Sequence, residues 1–365
     1  MYLRFASPAH VAAELRQSAV AGESPLWLLC VADTELPRVP ELLESCRREG
    51  VRVCGGVFPG LIHGTRVVHN GLLALPLPGA SQVAVADLSA AGPRWRTPPS
   101  GAGAHSAYVL LDSLAAGIAA FLDDLFDRFG GSLRYVGAGA ACRDLRRAPV
   151  VFTGDGLWAD AALAVLTPEH MEVHVRHGWT RVLGPFVASR SRANSILELN
   201  WRPAAALYRQ SVEALAPAFA GRPVFPDLGA AFPLCIGRED SEDVIRDPMG
   251  ETDDGGLAVL ADVAEHSPLY IAHGTPESLV AAARQAVEAC AAGPRPARYF
   301  ISDCYSRALM LGAGFRHELA GVATALAALT DVVPEGVLAL GEIASGGTRL
   351  LEFYNKTFVI AASRP

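Results

Sequence analysis

Residues 134–152 read Arg-Tyr-Val-Gly-Ala-Gly-Ala-Ala-Cys-Arg-Asp-Leu-Arg-Arg-Ala-Pro-Val-Val-Phe. An apolar strand leads into Gly137-x-Gly139, and arginines follow that could hold phosphate. A dinucleotide fingerprint needs a third small residue three positions on, then a helix whose N-terminus faces the pyrophosphate. Cys142 occupies that position, and Pro149 falls where the helix should still be running. The Val-Val-Phe-Thr that ends the stretch is a run of β-formers. A second strand therefore follows the glycines, and no nucleotide cofactor is expected.

Outward from this stretch the same order occurs three times. In the first unit, 26–31 reads as a strand and 39–48 as a short helix with Leu42, Leu43 and Cys46 on one face. Val51–Cys54 is a second strand, followed by the loop Gly55–Gly60 and a hairpin of 66–69 with 72–75 around Asn70-Gly71. In the second unit, 107–111 is a strand, and a helix over 114–129 places Leu114, Ile118, Phe121, Leu122, Leu125 and Phe129 on one stripe. The strand 133–136, the quoted loop, 150–153 and 159–166 complete it. In the third, 299–302, a long helix near 306–329, 337–340, the loop Gly341–Gly347, 349–353 and 357–361 repeat the pattern. Each unit is β-α-β followed by a two-strand meander. A β-α-β step gives a parallel pair and a meander gives antiparallel ones. The expected class is α/β (α+β mixed), with mixed β-sheets flanked by helices and built from repeated β-α-β-β-β units. Between the second and third units, 171–176 and 181–189 read as strands, 201–215 as a helix, and 276–290 as an amphipathic helix started by Thr275.

The bulk numbers narrow the function classes. With 365 residues, 51% hydrophobic and 19% charged, the chain can bury a substantial core. A net charge of −7 gives no electrostatic reason to expect nucleic acid or an anionic membrane as partner. Lys356 is the single lysine, so no Walker phosphate loop exists, and it is the sole candidate for Schiff-base chemistry. The seven scattered cysteines make no zinc spacing, and with no signal-peptide pattern or apolar span they point to a reducing cytoplasm.

Several segments together carry a resemblance. They are 134–160, Val-Arg-His-Gly-Trp (175–179), Gly-Pro-Phe (184–186), the Trp-Arg-Pro stretch at 201–208 and Ile-Arg-Asp-Pro (245–248). Asp-Cys-Tyr-Ser-Arg (303–307), Gly-Glu-Ile-Ala (341–344) and Tyr-Asn-Lys-Thr-Phe (354–358) complete the set. Their order and spacing resemble the FIST (F-box and intracellular signal transduction) family from about residue 26 to the end. The resemblance implies an N-terminal part over 1–222 and a C-terminal part over 223–365. It implies a ligand-sensing protein that signals in trans to an enzyme such as a histidine kinase or a cyclic-dinucleotide enzyme. The His-Gly-Trp element is similar to that of a haem-containing, nitric-oxide-sensing branch. Haem is therefore a candidate cofactor; a small amino-acid-like ligand and a homo-oligomer are left open.

His177 ends a strand of alternating polarity and precedes Gly178-Trp179. A neutral imidazole there could ligate haem iron, with Trp179, Met171 and Phe186 as apolar wall; the alternative is a structural histidine that caps the strand. His174, on the opposite face from Val173 and Val175, is expected to be solvated. Cys304, Arg307, Glu342 and Asn355 come from the third unit and are the candidate ligand-binding residues. Arg307 and Glu342 could hold the carboxylate and amine of an amino-acid-like ligand, or form a buried structural ion pair with each other. No nucleophile elbow, His-Glu-x-x-His or paired helical carboxylates occur. The reading leans away from an enzyme, with an enzyme of small-molecule metabolism on the same scaffold as the alternative class.

Overall fold

The structure is a computed structural model that describes residues 1–19, 24–239, 241–290, 296–346 and 350–364. Each unit is built on a parallel strand pair. These pairs are Leu26–Ala32 with Arg52–Phe58, Ser106–Asp112 with Arg134–Ala140, and Arg298–Cys304 with Glu335–Ala339. A strand, not a helix, follows Gly139: Arg134–Ala140 is succeeded by Val151–Thr153. The glycines serve close approach. A Cβ on Gly137 would lie 1.8 Å from the Val109 carbonyl oxygen, and one on Gly55 1.9 Å from that of Leu29.

The meanders depart from the simple reading. Each hairpin leaves its own unit and extends the sheet of another. Gly60–His63 pairs with Glu335–Ala339 of the third unit, Val151–Thr153 with Arg52–Phe58 of the first, and Glu342–Gly346 with Arg134–Ala140 of the second. The next strand then returns to its own unit: Leu72–Leu77, Ala161–Thr167 and Phe358–Arg364 each run antiparallel to that unit's opening strand. The exchange is cyclic and locks the chain's two ends into common sheets. In the third hairpin, Gly347 and Arg349 lie outside the described residues.

Strand alternation splits the sheets into two faces. Ala107, Val109 and Leu111 pack beneath Phe121, Leu122 and Leu125 of the helix Ile118–Phe129, whereas Tyr108 and Leu110 enter a core shared by the three sheets. In the third unit Ile301, Leu338 and Phe358 face the helices, while Phe300, Val337 and Ala339 join the shared core. Three helices differ at their boundaries from the sequence reading, among them 201–215, which begins at Ala204 after the short strand Arg202–Pro203. The second unit's helix starts at Ile118, behind Gly117 in the left-handed region, and the third unit's helix is broken at Gly312, giving Tyr305–Leu311 and Phe315–Ala327.

A fourth sheet is inserted between the second and third units. It centres on Thr180–Arg192, paired with Pro268–His273 on one side and Ser195–Leu199 on the other. The helix Pro276–Ala289 starts in a capping box made by Thr275 and Ser278, and shares an apolar core with Phe315–Ala327. No helix among the described residues is long and apolar enough to cross a membrane.

Candidate functional site

The His-Gly-Trp element sits where the strand His170–Arg176, which pairs with the third unit's return strand, turns into the inserted sheet. Gly178 has φ +80, and a Cβ there would lie 2.6 Å from the Ser278 carbonyl oxygen. The first turn of Pro276–Ala289 therefore requires glycine, and Ser278 Oγ donates to the Gly178 carbonyl at 2.9 Å. This places both flanking side chains. His177 is buried; its N–H donates to Glu242 Oε1 at 2.9 Å, and its Nδ1 accepts the Trp179 N–H at 2.8 Å. Because Nδ1 is an acceptor, the ring proton of the neutral form belongs on Nε2. Among the described residues Nε2 has no hydrogen-bond partner, and it lies 3.8 Å from Glu242. Burial pulls the imidazole below its ordinary value, against the Glu242 carboxylate, so the ring is neutral at pH 7.

His177 and Trp179 open onto a polar cleft of about 470 Å³, with Arg176, Arg181, Glu242 and Asp243 around it. Met171 and Phe186 do not line it; both are buried in the shared core. Met171 lies six residues up its strand, about 20 Å away at 3.3 Å per residue. Phe186 sits at the Leu269 pairing, beyond two register shifts of its strand. The histidine and the tryptophan come together; the methionine and the phenylalanine do not join them. His174, expected to be solvated, is half-buried with Nε2 sealed from water, because the helix Pro276–Ala289 packs on its strand.

Behind the cleft lies a buried polar core. Cys304 ends its strand, Glu342 opens the third hairpin, and Asn355 and Lys356 join that hairpin to the return strand. Cys304, Arg307, Glu342 and Asn355 are all sealed from solvent. Arg307 does not pair with Glu342. Its Nη2 donates to Glu318 Oε2 at 2.7 Å, and Asp303 Oδ1 lies 3.8 Å from its Nε. The break at Gly312 turns the second helix back so that Glu318 reaches it. The remaining donors reach the carbonyls of His177 at 2.6 Å, Leu279 at 2.5 Å and Lys356 at 3.3 Å. One guanidinium thus ties the cleft wall, the helix Pro276–Ala289 and the hairpin exit together.

The carboxylates around it are poorly satisfied. Among the described residues neither oxygen of Asp303 has a hydrogen-bond partner, and Glu342 Oε2 accepts the Thr357 N–H at 3.2 Å while its Oε1 is unpartnered. Both atoms of the Asn355 amide are also unpartnered among the described residues. Burial, reinforced by Glu318, pushes the Asp303 carboxyl well up; burial, reinforced by Cys304 and Asp303, does the same to Glu342. The single lysine is taken. Lys356 Nζ lies 3.2 Å from Asp247 Oδ2 and 5.6 Å from the Trp179 ring centroid. No group of three or more His, Cys, Asp or Glu among the described residues is arranged to hold a metal.

Asp303, Glu318, Asp247 and Glu242 were not singled out from the sequence, and Lys356 was singled out only as the chain's single lysine. One signal was present: Glu318 falls within the apolar stripe of Phe315, Leu319, Val322 and Leu326, where a buried charge requires a partner.

A FIST N domain matches residues 26–202 and a FIST C domain matches residues 204–345. The chain belongs to the FIST family. The two FIST matches carry with them a sensor role in signal transduction. No curated protein matches this FIST chain. In FIST terms, the N domain supplies the first two units and His177, and the C domain supplies Arg307, Glu318 and Glu342.

Proposed function

We propose that this FIST protein senses a small amino-acid-like ligand in the cleft at His177 and passes the signal in trans to a histidine kinase or cyclic-dinucleotide enzyme. The observation that carries this reading is the Arg307 guanidinium, which holds the His177 peptide carbonyl on the cleft side and Glu318 and the Lys356 carbonyl inside. A shift of the His177 loop cannot leave that network unchanged. Both charge signs are on the cleft wall. Arg176 and Glu242 face each other at a loose 3.7 Å, so a carboxylate and an ammonium could each take one of them. Asp243 is already held by Arg181 at 2.5 Å.

Haem fits this site poorly. Iron would need an imidazole lone pair, but Nδ1 spends its own on the Trp179 N–H and Nε2 carries the proton. The wall is polar, and Met171 and Phe186 lie elsewhere. A Soret band after haem reconstitution that disappears in His177→Ala would reverse this preference.

Thermal unfolding with each of the common free amino acids tests the proposal. At least one should raise the midpoint of the parent protein, and Glu242→Gln, which deletes one charge at the cleft, should abolish that shift. A parent that responds to none, or a variant that responds like the parent, would overturn it.

A further inference from the structure

A second cavity lies on the other side of the segment Val244–Arg246. It has a volume of about 490 Å³, and Leu114, Ile118, Leu260 and Phe353 form much of its wall. Two features of this wall are cationic or donor-rich, and neither is compensated.

The first is Arg246, which lines the cavity and is only 6% exposed. Its Nε donates to the Asp262 carbonyl at 2.9 Å, and its Nη1 to the Ile245 and Phe353 carbonyls at 3.0 Å. Among the described residues Nη2 makes no hydrogen bond and no carboxylate pairs with the guanidinium. Glu352, whose charge reaches it, is held by Arg238. Asp262 contributes its carbonyl, and its exposed side chain stands at the rim. A buried cation without an anion is costly unless something supplies the charge. Desolvation pulls this guanidinium down to about 10.

The second is the start of the helix Ile118–Phe129, which forms part of the same wall. Its N-cap, Gly117, makes no side-chain hydrogen bond, and its first turn carries no acidic residue. The N-terminus of a 12-residue helix presents donor N–H groups and a partial positive charge. Arg147, the other cation of the rim, is occupied by Asp160 at 3.1 Å and by the Leu114 carbonyl.

We infer that this cavity binds a small monocarboxylate, its carboxylate between Arg246 and the N-terminus of Ile118–Phe129 and its apolar body against Ile118, Leu260 and Phe353. One uncompensated cation matches a monoanion, and the Asp262 carboxylate at the rim disfavours a dianion. The site stands independently of the reading of the His177 cleft. Its elements come from the second unit, the inserted segment and the third unit's hairpin, so an occupant would bridge them.

Isothermal titration calorimetry of the full chain with hexanoate, hexanamide and inorganic phosphate tests it. Hexanoate should give one saturable site, and hexanamide, without the charge, should bind at least about tenfold more weakly. Arg246→Met should lose hexanoate binding. If that variant fails to fold, Ala119→Asp decides: an acid in an exposed first-turn position favours the helix yet repels the ligand. Absence of saturable hexanoate binding, equal affinity for hexanamide, phosphate binding as tight as hexanoate, or unchanged affinity in folded Ala119→Asp would each overturn the assignment.

Discussion

The third unit differs from the first two at positions that the strand register makes equivalent. The exchanged hairpins start opposite Gly56, Ala138 and Leu338, which aligns Val151 and Gly60 with Glu342. The parallel partners of those three residues are Cys30, Leu110 and Asp303. Two units therefore fill these places with apolar residues or glycine, and one fills them with buried carboxylates. The exit of each hairpin matches as well: Gly71, Asp160 and Lys356 all have positive φ. Their N–H groups are accepted by Glu35, Asp112 and Cys304 Sγ. The same backbone is thus made with or without Asp303 and Glu342. The fold does not need them there, and natural proteins retain such costly groups at working sites.

The largest effect should come from the residue that compensates this polar core. Arg307→Met leaves Glu318 buried without its cation and removes the tie to the His177 carbonyl, for a loss of about 3–5 kcal/mol in urea unfolding. A loss under about 1 kcal/mol would mean that the core is wetter and looser than its geometry indicates.

The pH dependence separates the two kinds of group. Folded Asp303 and Glu342 titrate above their ordinary 3.8 and 4.5, so the folded state keeps protons that the unfolded chain releases. Their contribution is full below those ordinary values and is lost as pH rises through the raised ones. His177 acts oppositely: its folded value lies below 6.5, so stability falls as pH drops through that value. Urea midpoints should therefore respond to Asp303→Asn more at about pH 7 than at about pH 4. His177→Gln should flatten the acid-side loss near the imidazole range. Parallel pH profiles for parent and variants would contradict both assignments.

The smallest effect concerns the hairpin exit. Cys304→Ala leaves the buried Lys356 N–H without its acceptor and should cost about 1–2 kcal/mol, whereas Cys304→Ser should cost less than half of that. Equal costs would show that packing, not the hydrogen bond, holds this exit.

Most strands were legible in the sequence because they depend on local periodicity, but most of the glycines read as loops lie within strands. The hairpin read at 66–75 around Asn70-Gly71 does not form: Arg66–Val68 pairs with Gly60–His63, and Leu72–Leu77 returns to Leu26–Ala32. Which sheet the observed hairpins at 60–68 and 342–354 join was not legible either, since local turn chemistry reads the same whether a hairpin pairs at home or abroad. Arg307, Glu342, Cys304 and Asn355 do gather in one core, as their placement in one unit implied. The partner of Arg307 was misread because the helix break at Gly312 redirects Glu318 toward it. Met171 and Phe186 were grouped with His177 by proximity along the chain. The left-handed turn at Gly178 instead separates the strand before it from the sheet after it.

The most direct test of the claim that the third unit carries its carboxylates at a cost is the stability of the double variant Asp303→Asn, Glu342→Gln. Both substitutions keep shape and remove a buried acid that the first two units do without. Urea unfolding at about pH 7 should give a variant more stable than the parent by ~1–3 kcal/mol. A variant less stable by a similar amount would show that the carboxylates hold the fold, and would contradict the account.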